Sequence, residues 1–332
     1  MRILVTGGAG YVGGFAARHL ARAGHEVVVL DSLELGHRPA APEGSLVVGD
    51  LADLPRLEAL LEARGIEAIL HFAALSSVGE SVAEPERYWD RNVAITLGLL
   101  RAMRRCSVRK LVFSSTAAVY GTSGESSLTE DSPLVPGSPY GQTKLAIEWM
   151  IESFARAYGL GYVVLRYFNA AGGSPDGSHG EDHRNETHLI PRILRSVLRP
   201  AEPLVVFGDD YPTPDGSCVR DYIHVDDLAR AHELALDACP DPHADARGRV
   251  LNVGTGRGNS VLEVIAAAER VTGQRIPFRM AGRRPGDPPS LVASPERIQA
   301  ELGWTPRYTK IEDIVATAWA WHRAHPDGYT DR

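Results

Sequence analysis

A chain of 332 residues, 44% of them hydrophobic, buries about three quarters of its unfolded surface on folding and needs no disulfide or metal staples. Its net charge of -7 argues against nucleic acid as a partner and requires any cationic site for an anion to be local. Cys106, Cys218 and Cys239 show no paired or metal-binding spacing, no apolar run approaches the ~20 residues of a membrane span, and Met1 abuts the first strand without room for a signal peptide, so a soluble cytoplasmic protein is expected.

Residues 2–5 form a short apolar strand, and residues 11–23 read as a helix stopped by Gly24. Between them the glycines are spaced Gly-x-x-Gly-x-x-Gly. Gly7 suits a tight turn, Gly10 admits phosphate oxygens to backbone N–H groups, and Gly13 lets the helix pack closely on the strand. Tyr11 and Val12 then open a helix whose N-terminus faces the anion. The next strand, residues 25–30, ends at Asp31 and Ser32. A carboxylate there accepts hydrogen bonds from both adenosine ribose hydroxyls and repels a 2′-phosphate, which predicts NAD over NADP, although His37 and Arg38 lie close by.

Strands at 46–48, 68–72, 111–114 and 162–165 alternate with helices at 54–64, 85–105 and 140–158. That alternation predicts an α/β fold, a doubly wound parallel sheet of Rossmann-like type. From about residue 170 Gly, Pro and Asp punctuate shorter elements, such as 189–198 and 204–207, which reads as a smaller C-terminal substrate lobe. Residues 220–225 followed by a helix at 226–239 resemble a further βα unit of the main sheet. The expected domains are therefore 1–169 with a return segment at 219–253 for NAD, and 170–218 with 254–332 for substrate.

Tyr140 and Lys144 lie four apart at the start of a helix, so both project from one face. A nearby ammonium stabilises phenolate, which suits tyrosine to act as a base in an apolar cleft. Thr116 follows the strand at the carboxyl end of the sheet, where such folds bind ligands.

The glycine turn, Asp31, Asp50, His71-Phe72-Ala73-Ala74, Asn92, Ser114-Ser115-Thr116, Tyr140, Lys144 and Leu165-Arg166-Tyr167-Phe168-Asn169 occur in the order of the extended short-chain dehydrogenase/reductase family, which the chain resembles almost end to end. Within that family it is most similar to the UDP-glucose 4-epimerases, also through Val78-Gly79-Glu80-Ser81, Val119-Tyr120-Gly121, Val219-Arg220-Asp221-Tyr222-Ile223-His224, Asn252-Val253-Gly254-Thr255-Gly256 and Arg283-Arg284-Pro285-Gly286-Asp287. The resemblance implies that Tyr140 is the base, Lys144 its electrostatic partner and a ligand of the nicotinamide ribose, and Thr116 a hydroxyl that shuttles a proton or polarises the sugar O4. It implies that Asn92, Ser114 and Tyr167 help seat NAD, with Asp50, Leu51, Phe72, Ala73 and Ala74 also at the cofactor. It further implies that Asn169, Arg220 and Arg284 hold the pyrophosphate and sugar, Asp287 the uridine ribose, and the backbone near Val205 and Phe207 the uracil. Two arginines also give forked phosphate donors where the net charge would repel.

The chain departs from the pattern at Ser76, where many members carry lysine, at Thr116, where serine is common, and at Thr187-His188-Leu189, where some show Asn-Asn-Leu. Either the His188 imidazole or the Leu189 backbone then contacts phosphate. Leu291 stands where the resemblance places a residue beside the hexose. It implies UDP-glucose and UDP-galactose as main substrates, with some activity on the N-acetylated sugar. His179, Glu181, Asp182, His183 and His188 crowd a Gly-rich charged loop, but their spacing fits no regular zinc pattern. No metal is expected, and the loop reads as a border of the substrate cleft that becomes ordered when the cleft fills.

The implied chemistry is oxidation at C4 to a 4-ketose, rotation of the ketose, and return of hydride to the opposite face. A nucleotide-sugar 4,6-dehydratase is the enzymatic rival, but that family places Asp-Glu after the threonine and this chain has Ala117 and Ala118. A non-catalytic NAD-binding regulator is the other, and such proteins usually lose the Tyr-x-x-x-Lys pair. Apolar residues at helical spacing (Ile95, Leu99, Met103; Ile147, Ile151, Phe154) and the family resemblance point to a homodimer, though core packing also accounts for the spacing.

Overall fold

The computed structural model describes residues 1–121, 127–200, 204–240, 248–284 and 287–331. The strands are β1 (Arg2–Thr6), β2 (Glu26–Asp31), β3 (Leu46–Val48), β4 (Ala68–His71), β5 (Lys110–Thr116), β6 (Gly161–Tyr167), β7 (Asn169–Ala171), β8 (Leu204–Phe207), β9 (Val219–His224), β10 (Arg249–Val253), β11 (Gly258–Ser260), β12 (Phe278–Ala281) and β13 (Ser290–Leu291). The α-helices are α1 (Tyr11–Arg22), α2 (Leu54–Arg64), α3 (Val78–Ala83), α4 (Pro85–Tyr88), α5 (Ile95–Arg105), α6 (Pro139–Tyr158), α7 (Leu189–Leu198), α8 (Val225–Asp237), α9 (Val261–Thr272), α10 (Glu296–Leu302) and α11 (Ile311–Ala324).

A seven-stranded sheet runs in the order β10-β6-β5-β4-β1-β2-β3, with every neighbouring pair parallel. Side chains alternate across it because successive residues of a strand point to opposite faces. Ile3 and Val5 join one core with Ala17 and Leu20 of α1 and Leu228 and Ala231 of α8. Leu4 joins the other with Leu57 of α2, Leu99 of α5 and Ile147 of α6. Leu99, Met103, Ile147 and Ile151 are thus already buried in the chain's own core. A separate apolar cluster holds the second lobe, drawing on α7, β8, α9 and α11.

Two expectations are corrected. β9 is not a strand of the main sheet: it pairs in parallel with β7 and β13 and antiparallel with β11 in a small sheet of its own. The chain still returns to the main sheet there, because α8 packs on α1 and β10 supplies the seventh strand beside β6. The single helix expected at 85–105 is three pieces, with a π-helical turn at Trp89–Ala94 between α4 and α5. Such wide turns often sit at functional sites, and this one carries Asn92 with its side chain completely buried.

Glycine is required where α1 meets the end of β1. A Cβ on Gly13 would lie 2.3 Å from the Gly7 carbonyl oxygen, a backbone atom that cannot turn aside, whereas a Cβ on Gly79 in α3 meets nothing within 4 Å. Gly13→Ala is therefore expected to lower the melting temperature, while Gly79→Ala leaves it unchanged or raises it, since alanine is favoured over glycine within a helix by roughly 1 kcal/mol. Equal melting temperatures for wild type and Gly13→Ala would contradict the close-packing account.

Candidate functional site

The carboxyl ends of β1, β2 and β4 meet at the glycine turn. Gly7 has φ of 73°, and a Cβ on it would lie 2.6 Å from the Ala73 nitrogen in the segment after β4. Gly10 is the N-cap of α1 and offers no side chain to the first-turn N–H groups, and a Cβ on it would meet only the Gly7 oxygen, at 3.3 Å. This leaves N–H donors at the positive end of a helix, a setting that suits a pyrophosphate. Asp31 is held beside them by N–H bonds from Ala9 (3.0 Å) and Leu33 (2.8 Å). Burial raises its pKa, against those two bonds and the nearby His37. Both carboxylate oxygens keep lone pairs for ribose hydroxyls. The residues present therefore fit a dinucleotide.

Further round the rim, Asp50 accepts from Ala52 N (2.9 Å) and pairs with Arg91 (3.0 Å), Leu51 is buried, and Ser32 is exposed. Phe72 packs on the His232 ring at 4.6 Å. Asn92 gives its amide to the Leu75 carbonyl (3.0 Å) and the Thr143 hydroxyl (3.1 Å) and accepts from Leu75 N (2.8 Å). Its side chain is thus committed to fixing the segment after β4 against α6.

Ser138 caps α6 by accepting from Gly141 N, and Pro139 fits the first turn, where its missing N–H is not needed. Tyr140 and Lys144 follow within that turn and the next, 8% and 3% exposed. The Tyr140 hydroxyl has that of Thr116 as a polar neighbour, and the Thr116 oxygen accepts from Ala118 N at 3.1 Å. Burial pushes Tyr140 far above the ordinary phenol range. Tyr167 adds to the rise, the Thr116 hydroxyl opposes it, and Tyr88, edge-on at 6.5 Å, adds to it again. Lys144 donates to the Ser114 carbonyl at 2.8 Å and lies 4.8 Å over the Phe113 ring. Burial lowers its pKa to about 7, with Glu148 one turn on pulling the other way. The ammonium is thus held on strand β5, a neighbour of the phenol on one helical face.

Behind this face lies a network that sequence reasoning did not single out. Glu148 takes the Ser115 hydroxyl (2.5 Å) and pairs with Arg166 (2.6 Å), which reaches the Tyr120 hydroxyl (3.1 Å); Tyr120 in turn donates to Asn252 (2.6 Å). The available signal was Glu148 four residues after Lys144. His232 is also buried: its Nδ1 donates to the Leu228 carbonyl (2.8 Å), so its Nε2 accepts from the Ser114 hydroxyl (3.0 Å).

On the substrate side, Arg220 donates to the carbonyls of Val219 (2.8 Å) and Pro288 (2.9 Å) and lies 3.6 Å from Asp287. The Arg284 guanidinium covers the Phe207 ring at 4.0 Å. Burial lowers the Arg284 pKa and Asp287 opposes that shift. Val205 and Phe207 lie on β8, and Asn169 is exposed on β7. Leu291 faces Arg220 in the β13–β9 register and packs against the cluster that includes Ala117 and Phe168. Pro285 and Gly286 of the Arg283–Asp287 motif lie outside the described residues.

His188 is the N-cap residue of α7, directly before Leu189, and its Nδ1 is bound to Glu181. Burial opposes a charge there, but Glu181 and Glu186 outweigh it and lift its pKa to about 9. The structure brings His183, His188 and Glu181 together with Glu186, a residue the sequence reading passed over. Asp182 instead faces Arg195 (3.3 Å), His37 (3.5 Å) and the Tyr329 N–H (2.9 Å).

Burial holds His71 at about 3 and both His232 and His224 at about 4, below the ordinary 6.5. The unfolded chain therefore binds more protons than the folded one between those values, and stability falls as pH drops below 6.5. Urea denaturation from pH 7 to 4.5 is expected to show that fall, with a shallower slope in His232→Gln. A flat profile would overturn the assignment of these rings as neutral.

The model of the NAD dependent epimerase/dehydratase family matches residues 3–254. The UDP-glucose 4-epimerase of Halalkalibacterium halodurans is 49% identical over 330 residues, covering 99% of this chain and 98% of that protein. A crystal structure of a UDP-glucose 4-epimerase superposes with a TM-score of 0.95 at 45% identity, covering 99% of both chains. The Bifidobacterium longum UDP-glucose 4-epimerase, solved in complex with NAD+ and UDP, superposes with a TM-score of 0.93 at 36% identity, covering 99% of this chain and 100% of that one.

Proposed function

Because the chain belongs to the NAD dependent epimerase/dehydratase family, we infer that it is an NAD-dependent UDP-glucose 4-epimerase, an isomerase that inverts C4 of UDP-hexoses. The observation that carries this reading is the Tyr140–Thr116 hydroxyl pair at the end of β5, beside the buried Lys144 and followed by Ala117 and Ala118. That pair moves one proton at a sugar hydroxyl. The two alanines supply no acid or base for the elimination a dehydratase requires.

NAD, when bound against Gly7, Gly10, Gly13 and Asp31, supplies a reversible hydride acceptor for C4. Tyr140 takes the proton from the 4-hydroxyl and returns it after the sugar has turned, and Thr116, its neighbouring hydroxyl, orients that exchange. As built, Tyr140 holds its proton tightly, because burial disfavours phenolate. Positive charge in the cleft is what lowers that barrier, and Lys144 on the same helical face is this chain's own contribution to it. Arg220 and Arg284 hold the diphosphate, with Asp287 at the uridine ribose and Leu291 at the hexose. Contacts that grip the nucleotide and leave the sugar free favour rotation of the ketose.

Tyr140→Phe is expected to fold and to retain NAD while turnover of UDP-galactose falls by at least ~10²–10⁴-fold, the range of general acid–base catalysis. Turnover near wild type, read by chromatography of the UDP-sugars, would remove Tyr140 from the mechanism.

Assembly as a homodimer through α5 and α6 fits the family resemblance and Trp149, 59% exposed on α6. Light scattering on the purified protein is expected to give about twice the mass of one chain, and Trp149→Glu to shift it toward one; a single-chain mass for wild type would refute the dimer. A cytoplasmic location fits three cysteines that are all free and described helices none of which is long and apolar enough to cross a membrane, and cell fractionation checks it.

A further inference from the structure

The segment leading from β7 into α7 gathers a side-chain cluster that is left free of the reaction above when the phosphate contact expected at this turn falls to the Leu189 backbone and not to the His188 imidazole. Glu181, His183, Glu186 and His188 each present one donor atom, and the four atoms lie within 4.8 Å of one another. Both glutamate side chains are 3% exposed. His183 Nδ1 is 3.4 Å from Glu181 Oε1 and 3.3 Å from Glu186 Oε2, and His188 Nδ1 contacts the same Glu181 oxygen. The two rings stand edge to face with centroids 5.1 Å apart.

Four donor atoms converging this closely also form the ligand set a cation would take. For a divalent cation, two carboxylates balance the charge and two imidazole nitrogens complete four ligands. Mixed imidazole and carboxylate donors suit zinc among the divalent metals, and a full set of four protein ligands marks a structural site. Ligand atoms around tetrahedral zinc sit roughly 3.3 Å apart, so the cluster must draw in by about an ångström or more at its widest. The ligands lie on a loop, which can close.

A second observation comes from α11. His322 is 3% exposed, and its Nε2 has no hydrogen-bond partner among the described residues. It lines a cavity of about 40 Å³ with Glu181, Asp182 and Arg195, and Arg195 lies 3.8 Å from Glu186.

We propose that Glu181, His183, Glu186 and His188 bind one divalent transition-metal ion, zinc by class, as a structural site that fixes the approach to α7. The same stretch is tied to the glycine turn, because the Tyr11 hydroxyl donates to the Gly172 carbonyl at 2.7 Å. The ion thus connects the start of α1 with the start of α7.

The test is metal analysis of the whole purified chain, stripped with chelator, equilibrated with zinc chloride and dialysed against metal-free buffer. Wild type is expected to retain about one zinc per chain, and cobalt(II) in its place to give the visible bands of a four-coordinate ion. His183→Ala and Glu186→Gln are each expected to hold zinc at least ~10-fold more weakly, with circular dichroism confirming that they fold. His183→Cys, which restores a ligand, is expected to recover retention. Wild type retaining less than about a tenth of an ion per chain, or retention unchanged in both His183→Ala and Glu186→Gln, would overturn the proposal.

Discussion

Burying the Lys144 ammonium is the act around which this half of the molecule is organised. An unpaired buried charge costs several kcal/mol, and the fold answers with the Ser114 carbonyl, the Phe113 face and Glu148 one helical turn away. Glu148 in turn needs Arg166, and Arg166 needs Tyr120 and through it Asn252. Through Ser115, Arg166 and Asn252 these side chains tie α6 to β5, β6 and β10. Breaking a buried pair such as Glu148–Arg166 costs roughly 3–5 kcal/mol, so the reacting face inherits the rigidity of the network behind it.

The electrostatics of the two ends of the cleft differ for the same physical reason. At the Tyr140 end, desolvation dominates and pushes the phenol up and the amine down. At the end proposed for the phosphates, positive charge is stored in arginines already engaged by carbonyls, an aromatic face and Asp287. Guanidinium groups keep their charge under burial more firmly than a lysine does. The local cationic character that the net charge of -7 demanded is therefore carried by side chains held in place.

What was legible in the sequence was local. The glycine turn, the strand ending at Asp31 and the bounds of α2, α7, β3 and β8 follow from periodicity and punctuation, and they appear at the positions read. Sheet membership is not local: residues 219–224 look like any buried strand, and only their pairing with β7, β11 and β13 shows that they serve the smaller sheet. The π-helical turn at 89–94 was hidden because a helical pattern does not reveal one extra residue per turn. Asn92 and His188 were legible as polar residues in place but not by partner, since the Leu75 backbone and Glu181 reach them through the fold. The Glu148–Arg166 pair was illegible because each member alone reads as an ordinary charged residue.

The two-residue strand β13 has an evolutionary implication. Leu291 is held opposite Arg220 by parallel pairing, with Ser290 opposite Val219, so the residue proposed beside the hexose and the arginine proposed for the diphosphate share one ladder. A strand this short has no slack for insertion or slippage, since moving by one residue would turn Leu291 to the opposite face. Diversification of this pocket among descendants of the chain is thus channelled into side-chain replacement at a fixed backbone, a route that alters which sugars are accepted while leaving the grip on the nucleotide intact.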